Sequence, residues 1–164
     1  MYLVGIIEKT CNTIEMNRIL EKNNIYKLYT ISKMNEKNID NFKNVKFDVI
    51  IINYEISFEN CKTNIRNILN NSKIVLLNID YKRNLKIVEN IESQVITYGF
   101  NKKATVTITS CDEDNIILGV QRGIMNLKKQ KIENQELKYP YKTGEDGMHL
   151  YTSLLILRNI VALI

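Results

Sequence analysis

Residues 47–53 read FDVIIIN, which contains the unbroken β-branched run Val49–Ile52. A second run of the same kind, KIVLL, follows at residues 73–77. Unbroken apolar runs of this length are typical of strands that are buried on both faces of a parallel sheet. The segment between them, Cys61 to Leu69, has the apolar spacing of a helix. The three segments together predict a strand–helix–strand unit with a crossover of helical length.

The same alternation extends to both sides of this unit. Tyr2–Ile7 is an apolar run of strand length, a loosely helical stretch follows it, and Ile25–Ser32 (IYKLYTIS) alternates like a strand. Further along, Arg83–Ile91 predicts a short helix and Gln94–Tyr98 a short strand. We therefore expect an α/β fold, with a Rossmann-like, mostly parallel sheet and flanking helices over residues 1–100.

The pattern changes after residue 100. Three segments alternate with period two and are joined by short turns: Ala104–Ser110, Ile116–Ile124 and Lys131–Tyr139. Consecutive strands with short turns predict an antiparallel β-meander, which we assign to residues 104–140. The turn between the first two strands contains the cluster Asp112-Glu113-Asp114.

A loop from Pro140 to Gly147 leads to a strongly apolar segment, residues 148–164, which predicts a closing helix. The segment spans about 17 residues with Arg158 and Asn159 near its centre, whereas a bilayer requires about 20 apolar residues. A buried helix is therefore the better interpretation, and its exposed end is a candidate surface for a second copy or a partner protein.

Length and composition favour a single folded domain over residues 1–164. A chain of 164 residues with 45% hydrophobic residues is long enough for one domain with a real core. The net charge of +5 is spread along the chain and interrupted by acidic residues, which argues against nucleic acid and against an anionic membrane as partners. Three distant cysteines without metal-site spacing indicate reduced thiols and a cytoplasmic protein.

The turn after the first predicted strand reads Gly5-Ile6-Ile7-Glu8-Lys9-Thr10 and leads into a predicted helix. Backbone amides and the dipole at a helix N-terminus bind anions, so phosphate loops are found at this position. A Lys-Thr pair after a strand is common, and an ordinary turn between a strand and a helix explains it as well.

Three downstream motifs accompany this turn in a fixed order. They are Asn78-Ile79-Asp80-Tyr81 after a buried strand, Ile96-Thr97-Tyr98-Gly99 at the end of another strand, and Gly147-Met148-His149-Leu150 at the start of the closing helix. With the turn, they resemble the central, ATP-binding domain of bacterial Mur ligases, and the resemblance covers essentially the whole chain. That family's phosphate loop has the form G-T-N-G-K-[TS].

The resemblance implies a nucleotide site for ATP and Mg²⁺. Its nucleotide-binding residues would be Gly5, Lys9, Thr10, Asn78, Asp80 and His149, and its metal ligands Thr10 and Glu55. It also implies a link to peptidoglycan synthesis, in which an acyl phosphate forms and an amine then attacks it.

Several residues depart from the family pattern. Glu8 stands where glycine wraps around phosphate, and its charge would repel a triphosphate. Tyr81 replaces the second Asp of the N-x-D-D turn, and Leu150 replaces the Asn after the histidine. The family's flanking N-terminal and C-terminal domains have no counterpart in these 164 residues.

Three hypotheses follow. The first is a Mur-ligase-like domain without autonomous ligase activity, which binds a nucleotide weakly or acts as a scaffold. The second is an ATP-dependent acid–amino-acid ligase component that works with a partner chain. The third is an interaction module without a nucleotide, which uses the closing helix.

Overall fold

The structure is a computed structural model that describes residues 1–10, 14–57, 62–141 and 147–163. Its strands are β1 (Tyr2–Ile7), β2 (Tyr29–Met34), β3 (Val49–Ile52), β4 (Ile74–Asn78), β5 (Gln94–Gly99), β6 (Val106–Cys111), β7 (Asn115–Val120), β8 (Ile124–Met125), β9 (Lys131–Ile132) and β10 (Gln135–Pro140). Its α-helices are α1 (Ile14–Lys22), α2 (Ile25–Leu28), α3 (Lys62–Asn70) and α4 (Met148–Ile156). Two 3₁₀ turns cover Ile39–Phe42 and Lys82–Ile87, and a π-helical turn covers Leu157–Val161.

Eight strands form one mostly parallel sheet in the order β10-β7-β6-β5-β4-β3-β1-β2. Strands β1 to β6 are paired in parallel, whereas β7 pairs antiparallel with both β6 and β10. The predicted fold class, an α/β sheet with flanking helices followed by antiparallel strands and a C-terminal helix, is confirmed. Because β6 pairs with β5 at Tyr98 and Val106, the two predicted parts of the chain share one continuous sheet.

The connections place a switch point between β1 and β3. The chain leaves β1 through α1 and α2 to reach β2 on one side, and then returns past β1 to place β3 on its other side. In open parallel sheets, ligands bind in the crevice outside the carboxyl ends of the strands where the direction of winding reverses. That crevice lies at the residues that follow Ile7 and Ile52.

Side chains from the sheet alternate between two separate cores. One core packs Ile6, Ile51 and Leu76 of the sheet against α1 and α4, and the other packs their neighbours Ile7, Ile52 and Leu77 against α3. This alternation follows from the period of two in a strand. The polar residues Glu8, Asn53 and Asn78 stand two positions beyond Ile6, Ile51 and Leu76, so they belong to the face covered by α1 and α4.

The predicted strand Ile25–Ser32 is only partly correct. Its first four residues form α2, and β2 begins at Tyr29. Ile25 and Leu28 are spaced as on a helix, and Asn24 turns the chain into α2 with a left-handed backbone (φ 55°). Asparagine tolerates that conformation better than most residues. The alternating polar and apolar residues of this segment therefore predicted a strand where its first four residues form a helical turn.

The meander differs from the prediction in one detail. The predicted strand Ile116–Ile124 ends at Val120, and the predicted strand Lys131–Tyr139 divides into β9 and β10. Residues of the intervening stretch pair as a small hairpin, β8 with β9, outside the main sheet. The side-chain oxygen of Asn126 shapes its turn by accepting from the backbone N–H groups of Lys128 and Gln130.

The closing helix is α-helical to Ile156 and then widens into a π-helical turn that ends at Val161. Its apolar residues Leu150, Leu154, Leu157 and Ile160 are buried in the core over the sheet. The described part of the helix therefore presents little apolar surface to a partner. None of the helices in the described ranges is long and apolar enough to cross a membrane. The predicted Pro140–Gly147 loop lies largely outside the described residues, as does Ile164.

Candidate functional site

A cavity of about 340 Å³ opens at the carboxyl ends of β1, β3 and β4, beneath the starts of α1 and α4. It lies at the β1–β3 switch point, where the fold favours a ligand. The residues that line it are Glu8, Lys9, Thr10, Glu15, Met16, Ile19, Asn53, Tyr54, Tyr81, Gly147, His149 and Leu150. Its volume lies near the lower end of the range of about 300–1,000 Å³ for small-molecule pockets.

Glu8 forms the floor of the cavity and is held by a chain of hydrogen bonds. The Asn53 amide donates to Glu8 Oε1 at 2.6 Å, and the Tyr98 hydroxyl donates to Asn53 Oδ1 at 2.8 Å. Tyr98 is fully buried, and burial raises its pKa well above the ordinary value, so it stays a hydroxyl donor. The Tyr98 donor thus orients the Asn53 amide, which in turn fixes the carboxylate.

A second carboxylate, Glu15 on α1, lines the same cavity. Its Oε1 is buried and has no hydrogen-bond partner among the described residues. Burial raises the pKa of Glu8, hydrogen bonds from Asn53 and the Lys9 backbone oppose the rise, and the charge of Glu15 adds to it. The floor of the cavity is therefore acidic and rich in acceptors.

An aromatic cluster forms the wall next to α4. The His149 ring lies 6.4 Å from that of Tyr81 and 5.8 Å from that of Phe100, centroid to centroid, and the second contact is edge-to-face. Burial lowers the pKa of His149, and the nearby Asp80 carboxylate, 3.7 Å from Nε2, opposes that shift. Phe100 is 48% exposed at the rim, so the cluster offers an aromatic face to solvent.

Asp80 anchors this wall to the sheet. Its two carboxylate oxygens accept from the backbone N–H groups of Phe100 at 2.9 Å and Asn101 at 3.0 Å. Gly99 allows the Asp80 carboxylate to lie close to the backbone, because a Cβ at this position would stand 2.6 Å from Asp80 Oδ2. Its φ is +140°. Only glycine adopts that backbone conformation readily.

The predicted site residues separate into three groups. Lys9, Thr10 and His149 come together around the cavity. Asn78 and Asp80 do not line it: Asn78 is fully buried, with its oxygen accepting from the Asp80 N–H at 3.0 Å, and the Asp80 carboxylate is committed to the contacts above. Gly5 lies inside β1, paired with Ser32 and Ile50, and does not reach the cavity.

Gly5 therefore has a packing role in β1, where it leaves room for neighbouring side chains. A Cβ there would meet the Met34 methyl group and would stand 3.2 Å from the Phe47 ring. Strand β1 continues through Ile7, so the turn consists of Glu8 and the residues that follow. Gly5, Ile6 and Ile7 of the expected phosphate loop therefore belong to the strand, and only Glu8, Lys9 and Thr10 lie in the turn.

The two predicted metal ligands, Thr10 and Glu55, do not meet at the cavity. Thr10 lines the cavity, but Glu55 does not, and the Glu55 carboxylate faces the Arg83 guanidinium at 3.6 Å. Among the described residues, no cluster of three His, Cys, Asp or Glu side chains is arranged to hold a metal ion. Two carboxylates, Glu8 and Glu15, line the cavity.

Neither a model of any known protein family nor any curated protein matches this chain. Its function therefore has to be inferred from the cavity itself.

Two residues of the site were missed in the sequence, Glu15 and the aromatic Phe100. Glu15 is one helical turn before Ile19, so it lies on the edge of the buried face of α1, and that spacing was a usable signal. Phe100 follows a glycine directly after a predicted strand, and nothing in its immediate sequence distinguishes it from a loop residue.

A second cavity of about 420 Å³ lies between α1 and the end of β10, lined in part by Arg18, Lys22, Tyr141 and Tyr151. We assign it no role.

Proposed function

We propose that this protein is a Mur-ligase-like domain that binds an adenine nucleoside or nucleotide in the cavity at the β1–β3 switch point and has no autonomous ligase activity. The observation that carries the proposal is the convergence of Lys9, Thr10 and His149 on one cavity. These residues come from two motifs that are about 140 positions apart in sequence.

The surroundings of the cavity support a nucleoside-sized ligand. A flat base finds aromatic faces at Tyr81 and His149, and Phe100 extends them to the rim. Aromatic side chains stack on nucleobases with little dependence on the base. Lys9 is exposed at the mouth of the cavity, where its ammonium group can meet an anionic substituent that projects towards solvent.

The absence of ligase activity is proposed because of the acidic floor. Acyl-phosphate chemistry depends on donors and cations that stabilise charge on the transferred phosphoryl group. Glu8 and Glu15 present acceptors and negative charge to the same space. We further propose a cytoplasmic location, because the three cysteines have no spacing that suggests disulfides or metal sites.

Isothermal titration calorimetry with adenosine, AMP and ATP tests the proposal. We expect at least one of the three to bind with a dissociation constant below about 1 mM, which corresponds to about 4 kcal/mol. Substituting His149→Ala should weaken that binding at least fivefold. Lys138→Ala, at an exposed position on β10 at the far edge of the sheet, is the matched control and should leave it unchanged.

Three outcomes contradict the proposal. The first is that none of the three compounds binds below about 10 mM. The second is that binding is equally tight in the His149→Ala variant, which would place the ligand elsewhere. Formation of ADP or phosphate from ATP by the isolated protein in the presence of an acid and an amine would contradict the lack of ligase activity.

A further inference from the structure

We propose that this cavity selects a nucleoside over its triphosphate, because Glu8 and Glu15 accept hydrogen bonds from the two ribose hydroxyls. This inference rests on the proposed function and specifies the ligand class of the same site. It also makes Glu15 a specificity-determining residue.

The first argument is the charge of the floor. Glu8 follows β1 and Glu15 lies on α1, so the two carboxylates enter the cavity from different elements. The Lys9 side chain, the only lysine among the described residues that line the cavity, is exposed. A polyphosphate placed on this floor would bring like charges together where burial reduces screening.

The second argument is the balance of donors and acceptors. An ionised carboxylate only accepts hydrogen bonds, and each has about four lone-pair positions. Glu8 has a single side-chain donor, Asn53, so its carboxylate keeps acceptor positions for a ligand. A ligand that brings hydroxyl donors to the cavity is therefore favoured. Ribose offers two adjacent hydroxyls.

The third argument is the rigidity of Glu8. The Asn53 amide uses its oxygen to accept from Tyr98 and its nitrogen to donate to Glu8. This arrangement supports the charged, accepting form of the Glu8 carboxylate and holds it in one place.

The fourth argument is size and shape. A cavity of about 340 Å³ is near the lower limit for small-molecule pockets, a size that suits a nucleoside. Gly147 lines the same cavity at the start of α4, and a Cβ there would stand 3.1 Å from Glu15 Oε1. The helix start and the carboxylate thus lie close together around the space that the sugar would occupy.

Calorimetric titration of the wild-type protein at fixed ionic strength tests this selection without any variant. The probes are adenosine, 2′,3′-dideoxyadenosine, ATP with and without Mg²⁺, and the diamine putrescine. We expect adenosine to bind at least tenfold more tightly than ATP in either form. Dideoxyadenosine, which lacks both hydroxyl donors, should bind at least tenfold more weakly than adenosine.

A variant then tests whether Glu15 causes the preference for adenosine over ATP. Glu15→Gln keeps the shape and removes the charge, so the preference for adenosine over ATP should fall to threefold or less. Glu21→Gln is the matched control, because Glu21 is exposed on the same helix and does not line the cavity. Its preference should match that of the wild type.

Other results would contradict the selection for adenosine, the ribose contact or the proposed function itself. ATP binding as tightly as adenosine, or dideoxyadenosine binding as tightly as adenosine, refutes the selection while leaving the proposed function intact. Binding of putrescine in preference to adenosine shows that the acidic floor serves a cation and refutes the ribose contact. If no nucleoside or nucleotide binds, the proposed function fails and the selection fails with it.

Discussion

Replacing Tyr98 by phenylalanine removes a single hydroxyl from the most buried part of the site. That hydroxyl donates to Asn53 Oδ1 at 2.8 Å. Tyr98 has 0% exposure, so water cannot take the place of the lost group at the ring. The substitution leaves the Asn53 oxygen without its donor.

The expected cost follows from the hydrogen bond and its burial. A neutral hydrogen bond contributes about 0.5–1.5 kcal/mol net, and an acceptor left without a partner in a buried site costs about 1–3 kcal/mol. Asn53 is only half-buried, which places the cost near the lower part of that range. We expect a loss of about 1.5 kcal/mol, which lowers Tm by about 3–6 °C for a chain of this size.

Tyr29→Phe is the matched control for this prediction. Tyr29 is also buried, at 1% exposure, but its hydroxyl has no hydrogen-bond partner among the described residues. Removing an unsatisfied buried hydroxyl should leave the free energy of unfolding unchanged or raise it. Urea unfolding and calorimetry of both variants give the comparison. If Tyr98→Phe is no less stable than Tyr29→Phe, the hydrogen-bond chain to Glu8 is wrong.

Three further predictions concern the same site. Gly99→Ala should lower the free energy of unfolding by at least about 2 kcal/mol, because its φ of +140° strains any side chain and the added Cβ would collide with Asp80. Gly123→Ala should change it by less than about 1 kcal/mol, because a Cβ there meets the flexible end of Lys131 at 3.2 Å and the Ile132 carbonyl oxygen at an ordinary 3.8 Å. Urea unfolding measures both, and equal losses would contradict the contact between Gly99 and Asp80. Glu8→Gln should be more stable than the wild type at pH 7, and the difference should vanish as pH falls towards 4.5. The reason is that a carboxyl group with a higher pKa in the folded than in the unfolded state destabilises the protein as pH rises through the folded-state value. A difference in the free energy of unfolding between Glu8→Gln and the wild type that does not change with pH would therefore contradict the raised pKa of Glu8. NMR titration of His149, the only histidine in the chain, should give a pKa below 6.5, lower still in Asp80→Asn; a rise in that variant would show that the two side chains do not interact.

Much of the sheet was predictable because an unbroken hydrophobic run indicates a strand that is buried on both faces. FDVIIIN and KIVLL had to lie in the centre of a parallel sheet, and they became β3 and β4. Short elements were harder, since four residues such as Ile25–Leu28 fit a strand and a helical turn equally well. The order of the strands, and with it the switch point, depends on which neighbours pair, and a linear pattern of polarity does not contain that information.

The candidate site was predictable only in part. The turn after β1 and the start of α4 drew attention to Lys9 and His149, and the structure brings both to one cavity. The same motifs suggested a phosphate loop, yet the residues that face the cavity floor are Glu8 and Glu15. A motif specifies residue types at given spacings, whereas the charge of a cavity depends on side chains that meet from separate elements. The spacing to Ile19 places Glu15 at the edge of the buried face of α1, but its position at the cavity depends on α1 covering the end of β1.

The most direct test of the central claim is a ¹H–¹⁵N NMR titration of the labelled protein with adenosine. If the ligand binds at the β1–β3 switch point, the largest shifts will be those of the amides of Lys9, Asn53, Tyr81 and His149, and they will saturate together. Shifts that instead cluster around Tyr141, or that stay absent at millimolar adenosine, would contradict the proposed site.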